Sequence, residues 1–167
     1  MTWYALLIAA VAVERVVELV VSQRNLAWSR ARGGVEFGAR HYPAMVALHT
    51  CLLVGCLVEA FYRPFVPALG WPMLVVVLGA QALRWWCIGT LGHQWNTRVV
   101  VIPDAARVAD GPYRFLSHPN YVAVIVEGIA LPLVHTAWVT AVVFTALNAL
   151  VIRTRIGVEN AALARLR

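Results

Sequence analysis

"YVAVIVEGIALPLVHTAWVTAVVFTALNALVI", residues 121–152, decides the fold. A helix that spans a bilayer needs roughly 20 mostly apolar residues. This stretch is long enough for two, with Pro132, His135 and Thr136 where the chain would turn back. Three more apolar runs precede it, at about residues 2–21, 43–62 and 71–91. The chain is 61% hydrophobic and only 13% charged, against about 25% charged in soluble domains. Its 167 residues suit a single domain. The expected architecture is all-α, an integral membrane bundle of five transmembrane helices. The first run has no basic n-region and no small-residue cleavage site, so it is expected to be a span rather than a removed leader.

The net charge of +6 comes from fourteen arginines; there is no lysine. Arg24, Arg30, Arg32 and Arg40 follow the first run, Arg98, Arg107 and Arg114 the third, and Arg153, Arg155, Arg165 and Arg167 the last. Basic residues beside apolar runs favour the cytoplasmic face. That puts the N-terminus outside and the C-terminus inside, and argues against a nucleic-acid partner. Trp3, Trp71 and Trp138 fall near span ends, as an interfacial aromatic belt would. Cys51, Cys56 and Cys87 form no CxxC and no Cys/His ligand spacing, so they are expected to pack as small hydrophobes, and no metal is implied.

Immediately before the hairpin lies "GPYRFLSHPNY", residues 111–121. Pro119 pushes the preceding residues towards extended backbone and can open a helix. His118 and Asn120 then sit at a helix N-terminus, whose free N–H groups favour an anion such as a carboxylate. Upstream, "RVVVIP" has the β-branched density of a short extended segment and "DGPY" has turn chemistry. Region 92–121, with the tail near 153–163, is expected to form a small cytosolic cofactor-binding unit on the membrane. A transporter would more often put its polar groups at the midplane on broken helices.

Together, G-P-Y, H-P-N-Y, the apolar hairpin and "RIGVEN" resemble the isoprenylcysteine carboxyl methyltransferase family of membrane enzymes. The resemblance implies S-adenosylmethionine as cofactor, bound without a dinucleotide fold; the chain has no G-x-G-x-x-G. It makes Tyr113, His118, Pro119, Asn120 and Tyr121 the cofactor-binding segment. Arg155 and Glu159 match the Arg and first Glu of the family's tail motif. Two departures are Ser117, where many relatives have Arg, and Asn160, where many have a second Glu. "ERVVELVVSQRN", "HYP", "WNTRVVVIP" and "VEGIALPL" are similar to a bacterial branch that O-methylates alkylpyrones and phenolic lipids.

The expected reaction is O-methylation of a lipophilic acceptor drawn from the bilayer. Methyl transfer from a sulfonium needs acceptor oxygen, methyl carbon and sulfur in line, with water excluded. Glu159 is the leading base for a neutral phenol, with His93 behind it, and Arg155 could hold an anionic acceptor. Alternatives are carboxyl methylation of an isoprenylcysteine-like acceptor, phospholipid N-methylation, an NADPH-dependent sterol-type reductase, or a non-catalytic membrane adaptor. Within the spans, Glu14 and Glu18 lie one helical turn apart. Ionisable residues there usually face a bundle interior. They either form a structural ion-pair set with Arg15 or Arg84 or line the substrate cleft, and Glu127 carries the same ambiguity. His49 reads as a satisfied core histidine. The oligomeric state is open.

Overall fold

Proline placement sets where the helices begin. A computed structural model describes residues 2–103, 105–106 and 108–165. Its five long helices are α1 (Thr2–Arg30), α2 (Tyr42–Tyr62), α3 (Pro67–Leu91), α4 (Pro119–Leu133) and α5 (Trp138–Arg165). Helices α2, α3 and α4 each carry a proline in the first two positions. There the missing N–H has no intrahelical partner to lose, and the fixed φ suits the helix.

Three helical stretches are long and apolar enough to cross a membrane: Ala39–Tyr62, Pro67–Gln94 and Trp138–Ala164. The remaining two helices differ for separate reasons. Helix α4 has 15 residues, or about 22 Å of rise against the roughly 30 Å of a hydrocarbon core. Helix α1 has 29 residues but carries Glu14, Arg15, Glu18 and Arg24. It also runs nine residues past its apolar stretch, so Arg24 and Arg30, which follow that stretch, still lie on the helix. Ser22, Asn25 and Ser29, spaced at three and four, are buried there. A polar face, not an apolar one, holds this end of α1 to the rest of the protein.

One short ribbon accompanies the helices. Strand β1 (Val35–Phe37) pairs antiparallel with β2 (Val99–Val101), in the register Val35↔Val101, Glu36↔Val100 and Phe37↔Val99. β2 is the extended segment expected from "RVVVIP". Arg98 donates to Glu36 at 2.6 Å and ties the residue before β2 to the middle of β1. Arg107 and Arg167, counted in the charge argument, lie outside the described residues.

The apolar core joins Tyr4 and Ile8 of α1, Leu52 of α2, Val77 of α3, Leu131 of α4 and Phe144 of α5. The Tyr4 hydroxyl donates to the Leu131 carbonyl at 2.9 Å, satisfying one of the last-turn carbonyls that α4 itself leaves free. A Cβ at Gly128 would overlap the Phe144 ring, so glycine permits α4 and α5 to pack this closely. Beyond Leu133 the chain turns at Thr136, whose φ of 57° is left-handed, and its hydroxyl donates to the Pro64 carbonyl at 2.6 Å. Glu59 of α2 caps α5 from outside, accepting the Val139 N–H at 3.0 Å and the Thr140 N–H at 2.8 Å. Trp3 stacks on Trp71 at this end, with centroids 5.5 Å apart. Cys56 and Cys87 are buried as expected, whereas Cys51 is exposed on the side of α2.

Candidate active site

The other end of α4 gathers the polar residues. His118 is the N-cap residue of α4, with Pro119 buried just inside. Three residues on, Tyr121 stacks under the His118 ring, with centroids 5.3 Å apart. Helix α5 returns beside them. The Tyr121 hydroxyl donates to Glu159 Oε2 at 2.9 Å, and His118 Nδ1 lies 3.8 Å from the same oxygen. The Arg155 guanidinium stands 5.8 Å from the Tyr121 ring centre. His118, Tyr121, Arg155 and Glu159, named from motifs nearly 40 residues apart, therefore meet in one cluster.

Gly111–Arg114 forms a short 3-10 turn leading into this cluster. Gly111 has φ 53°, and a Cβ there would collide with the Thr90 hydroxyl. Burial, aided by the neighbouring Cys87 thiol, holds the Tyr113 phenol well above its ordinary pKa. Tyr113 therefore remains a neutral hydroxyl at any working pH.

A cavity of about 160 Å³ opens between the helices behind Tyr121. Asn120, Tyr121 and Arg155 contribute to its wall, as do Arg15, Glu18 and Arg84. The latter belong to a buried network. Arg15 reaches Glu18 at 2.9 Å and Glu127 at 3.4 Å, and Arg84 pairs with Glu127 and lies 3.5 Å from Glu18. Gln81 and Trp85 donate to Glu14. Glu127 follows Tyr121 by six residues on α4, which places the network about 9 Å deeper along that helix.

The segment Trp95–Thr97 lines the same cavity. Asn25 of α1 holds the Gly92 and Trp95 carbonyls at 3.1 and 2.8 Å. The Ser22 hydroxyl donates to Asn96 Oδ1 at 2.8 Å and accepts the Thr97 N–H at 3.1 Å. Arg155 donates to the Thr97 carbonyl at 2.9 Å, so the loop is clamped between α1 and α5.

Buried polar atoms are almost always hydrogen-bonded, and each exception asks for an explanation. Among the described residues, seven buried side-chain polar atoms have no partner, and six of them belong to residues lining this cavity. They include Glu18 Oε1, Trp95 Nε1, Asn120 Oδ1 and Asn148 Oδ1.

The sequence-derived residues divide accordingly. Asn120, Tyr121, Arg155 and Glu18 line the cavity. Glu14 and Glu127 belong to the network without being part of that wall. His118 and Glu159 sit beside it, bound to Tyr121. His93 is not brought in: it is exposed and stacks on Trp28 at 5.2 Å, because the chain turns at Gly92 towards α1. His49 bonds the Met45 carbonyl at 2.9 Å, as a satisfied histidine should, yet also lines the cavity. Sequence reasoning missed Ser22, Asn25 and Asn148. The one available signal was the spacing 18, 22, 25, 29 of polar residues on α1.

Residues 73–165 match the family model described as "Isoprenylcysteine carboxyl methyltransferase (ICMT) family". The chain belongs to that family. The matched part holds most of α3 and all of α4 and α5, and with them the whole His118–Tyr121–Arg155–Glu159 cluster; α1 and α2 lie before it. The ICMT family is one of membrane methyltransferases. The chain is 35% identical to an uncharacterised protein of Bacillus subtilis (strain 168), YpbQ, over 159 residues covering 95% of each chain. It is 24% identical to an uncharacterised protein of Haemophilus influenzae (strain ATCC 51907 / DSM 11121 / KW20 / Rd), over 95% of this chain and 93% of the other. No solved structure matches it.

Proposed function

We propose that this protein transfers a methyl group from S-adenosylmethionine to an oxygen of a lipophilic acceptor at the membrane interface, an alkylpyrone or phenolic lipid. The supporting observation is the cavity itself: unpartnered buried polar atoms lie directly behind the cluster that the ICMT motifs form.

The residues at the cavity mouth suit the cofactor. The Asn120 N–H at the start of α4, without a backbone acceptor among the described residues, favours its carboxylate, the Glu159 carboxylate its ammonium, and the unpartnered Asn120 Oδ1 an N–H donor. When bound, S-adenosylmethionine supplies an electrophilic methyl on a positively charged sulfur. The chain's own residues do the rest. Glu159 fixes the Tyr121 ring through the phenol hydroxyl, and His118 stacks against it. Arg155, anchored on the Thr97 carbonyl, brings positive charge to the cavity wall. The apolar helices exclude water, which strengthens each polar contact within.

Purified protein incubated with methyl-labelled S-adenosylmethionine and a long-chain alkylpyrone should yield a labelled methyl ether. Transfer of label to a prenylated cysteine in preference, with the pyrone offered at equal concentration, would overturn the acceptor assignment.

In the same reading the cavity mouth faces the cytoplasm and the N-terminus lies outside. Exposed positions test this in a chain whose three cysteines are replaced by alanine. Arg32→Cys and Ala161→Cys should resist a membrane-impermeant thiol reagent in intact cells, and Tyr62→Cys should react. Ser29 is unsuitable as a probe, being buried against the neighbouring loop. The reverse labelling pattern would sink the orientation.

A further inference from the structure

Glu18 lies on α1, outside the stretch that matches the ICMT family. It is 4% exposed. One carboxylate oxygen, Oε2, is held by Arg15 at 2.9 Å and lies 3.5 Å from Arg84. The other, Oε1, is buried without a partner on a residue that lines the cavity. A buried carboxylate oxygen left bare is unfavourable unless something donates to it. The surrounding charges point the same way. Glu14, Glu18 and Glu127 stand against Arg15 and Arg84, which leaves one negative charge over when all are ionised. The other ionisable groups on the cavity wall are His49 of α2, bonded to the Met45 carbonyl, and Arg155 of α5, bonded to the Thr97 carbonyl. Glu159 is already engaged by Tyr121 and does not line the cavity.

We infer that Glu18 Oε1 is the general base for a hydroxyl acceptor, receiving its O–H hydrogen bond on binding and its proton on methylation. The inference rests on the methyl-transfer reading above. In the step, the acceptor O–H bond breaks and its proton passes to Glu18 Oε1. The oxygen's electron pair forms the new O–CH3 bond while the methyl–sulfur bond breaks. Sulfur keeps that bond's electrons and becomes a neutral thioether, and Glu18 becomes a neutral acid. The product ether can no longer donate to Glu18, which favours its release.

Two measurements test this. In the first, a long-chain 3-alkylphenol and its O-methyl ether are titrated into cofactor-free protein and binding is followed by tryptophan fluorescence. The phenol should bind about tenfold more tightly, the scale of one hydrogen bond to a charged group. Glu18→Leu should abolish that preference and Glu18→Asp restore part of it. A phenol-to-ether ratio near one in the unaltered protein overturns the proposal even if no variant folds. In the second, Glu18→Gln is assayed with cofactor on the alkylphenol and on an alkylpyrone already ionised at neutral pH. Turnover of the phenol should fall roughly 10²–10⁴-fold, as for loss of a general base, and regain rate as rising pH ionises the phenol. Turnover of the ionised pyrone should change far less. Equal losses on both acceptors would make Glu18 a structural member of the network only. If the unaltered protein methylates neither acceptor yet shows the binding preference, the methyl-transfer reading fails, and the base role falls with it.

Discussion

Arg84→Met is expected to destabilise the protein by about 3–5 kcal/mol, the scale for removing one partner of a buried ion pair. Arg84 is 4% exposed and is shared between Glu127 and Glu18. A methionine fills similar space but leaves both carboxylates facing Arg15 alone. At about 2–4 °C per kcal/mol for a chain of this size, the thermal midpoint in detergent should fall by roughly 6–20 °C. Arg84→Lys keeps the charge but not the fork that reaches two carboxylates, so it should fall between. The exposed pair Arg30–Glu36, 3.2 Å apart, provides the contrast. Arg30→Met should cost under about 1 kcal/mol, as exposed ion pairs do. Equal midpoints for the Arg84 and Arg30 variants would mean that the network does not hold α1, α3 and α4 together.

Tyr121→Ala is expected to weaken S-adenosylmethionine binding by about one hundredfold, or roughly 2.7 kcal/mol, with the protein still folded. The ring carries three contacts at once: the His118 stack, the hydrogen bond to Glu159 and the approach of Arg155. Tyr121→Phe removes only the hydrogen bond to Glu159 and keeps the ring's contacts with His118 and Arg155, so it should retain part of the affinity. Calorimetry on detergent-purified protein separates the two. Unchanged affinity in Tyr121→Ala would remove the 113–121 segment from the cofactor site, whatever the activity showed.

The helices and the main cluster were legible because both rest on local rules. Pro119 opened α4 where X-Pro chemistry said it would, and "RVVVIP" became β2. Arg155 and Glu159 met His118 and Tyr121 because α4 and α5 form a tight antiparallel hairpin, which returns distant residues to one end. His93 lies apart from the cluster for a local reason too. Gly92 adopts a positive φ, and the turn it permits carries the imidazole onto Trp28. The strand partner of β2 and the helical state of residues 22–30 were not legible. Val35–Phe37 is three residues long, and Ser22, Asn25 and Ser29 look like solvent-facing residues until a loop covers them.

By itself the sequence determined an integral membrane protein, its apolar helices, their turns and the motif at the start of α4. Burial of apolar surface follows from composition and period, and a proline restrains its own neighbours wherever the chain goes. Only the tertiary structure decided which ionisable residues share a site. Glu18 and Arg84 are 66 residues apart, and no local rule couples them. Nor could spacing tell a carboxylate satisfied on both oxygens from one whose Oε1 is buried without a partner. That difference depends on what Arg15 and the distant Arg84 bring within 3 or 4 Å, and hydrogen bonding is decided at that range.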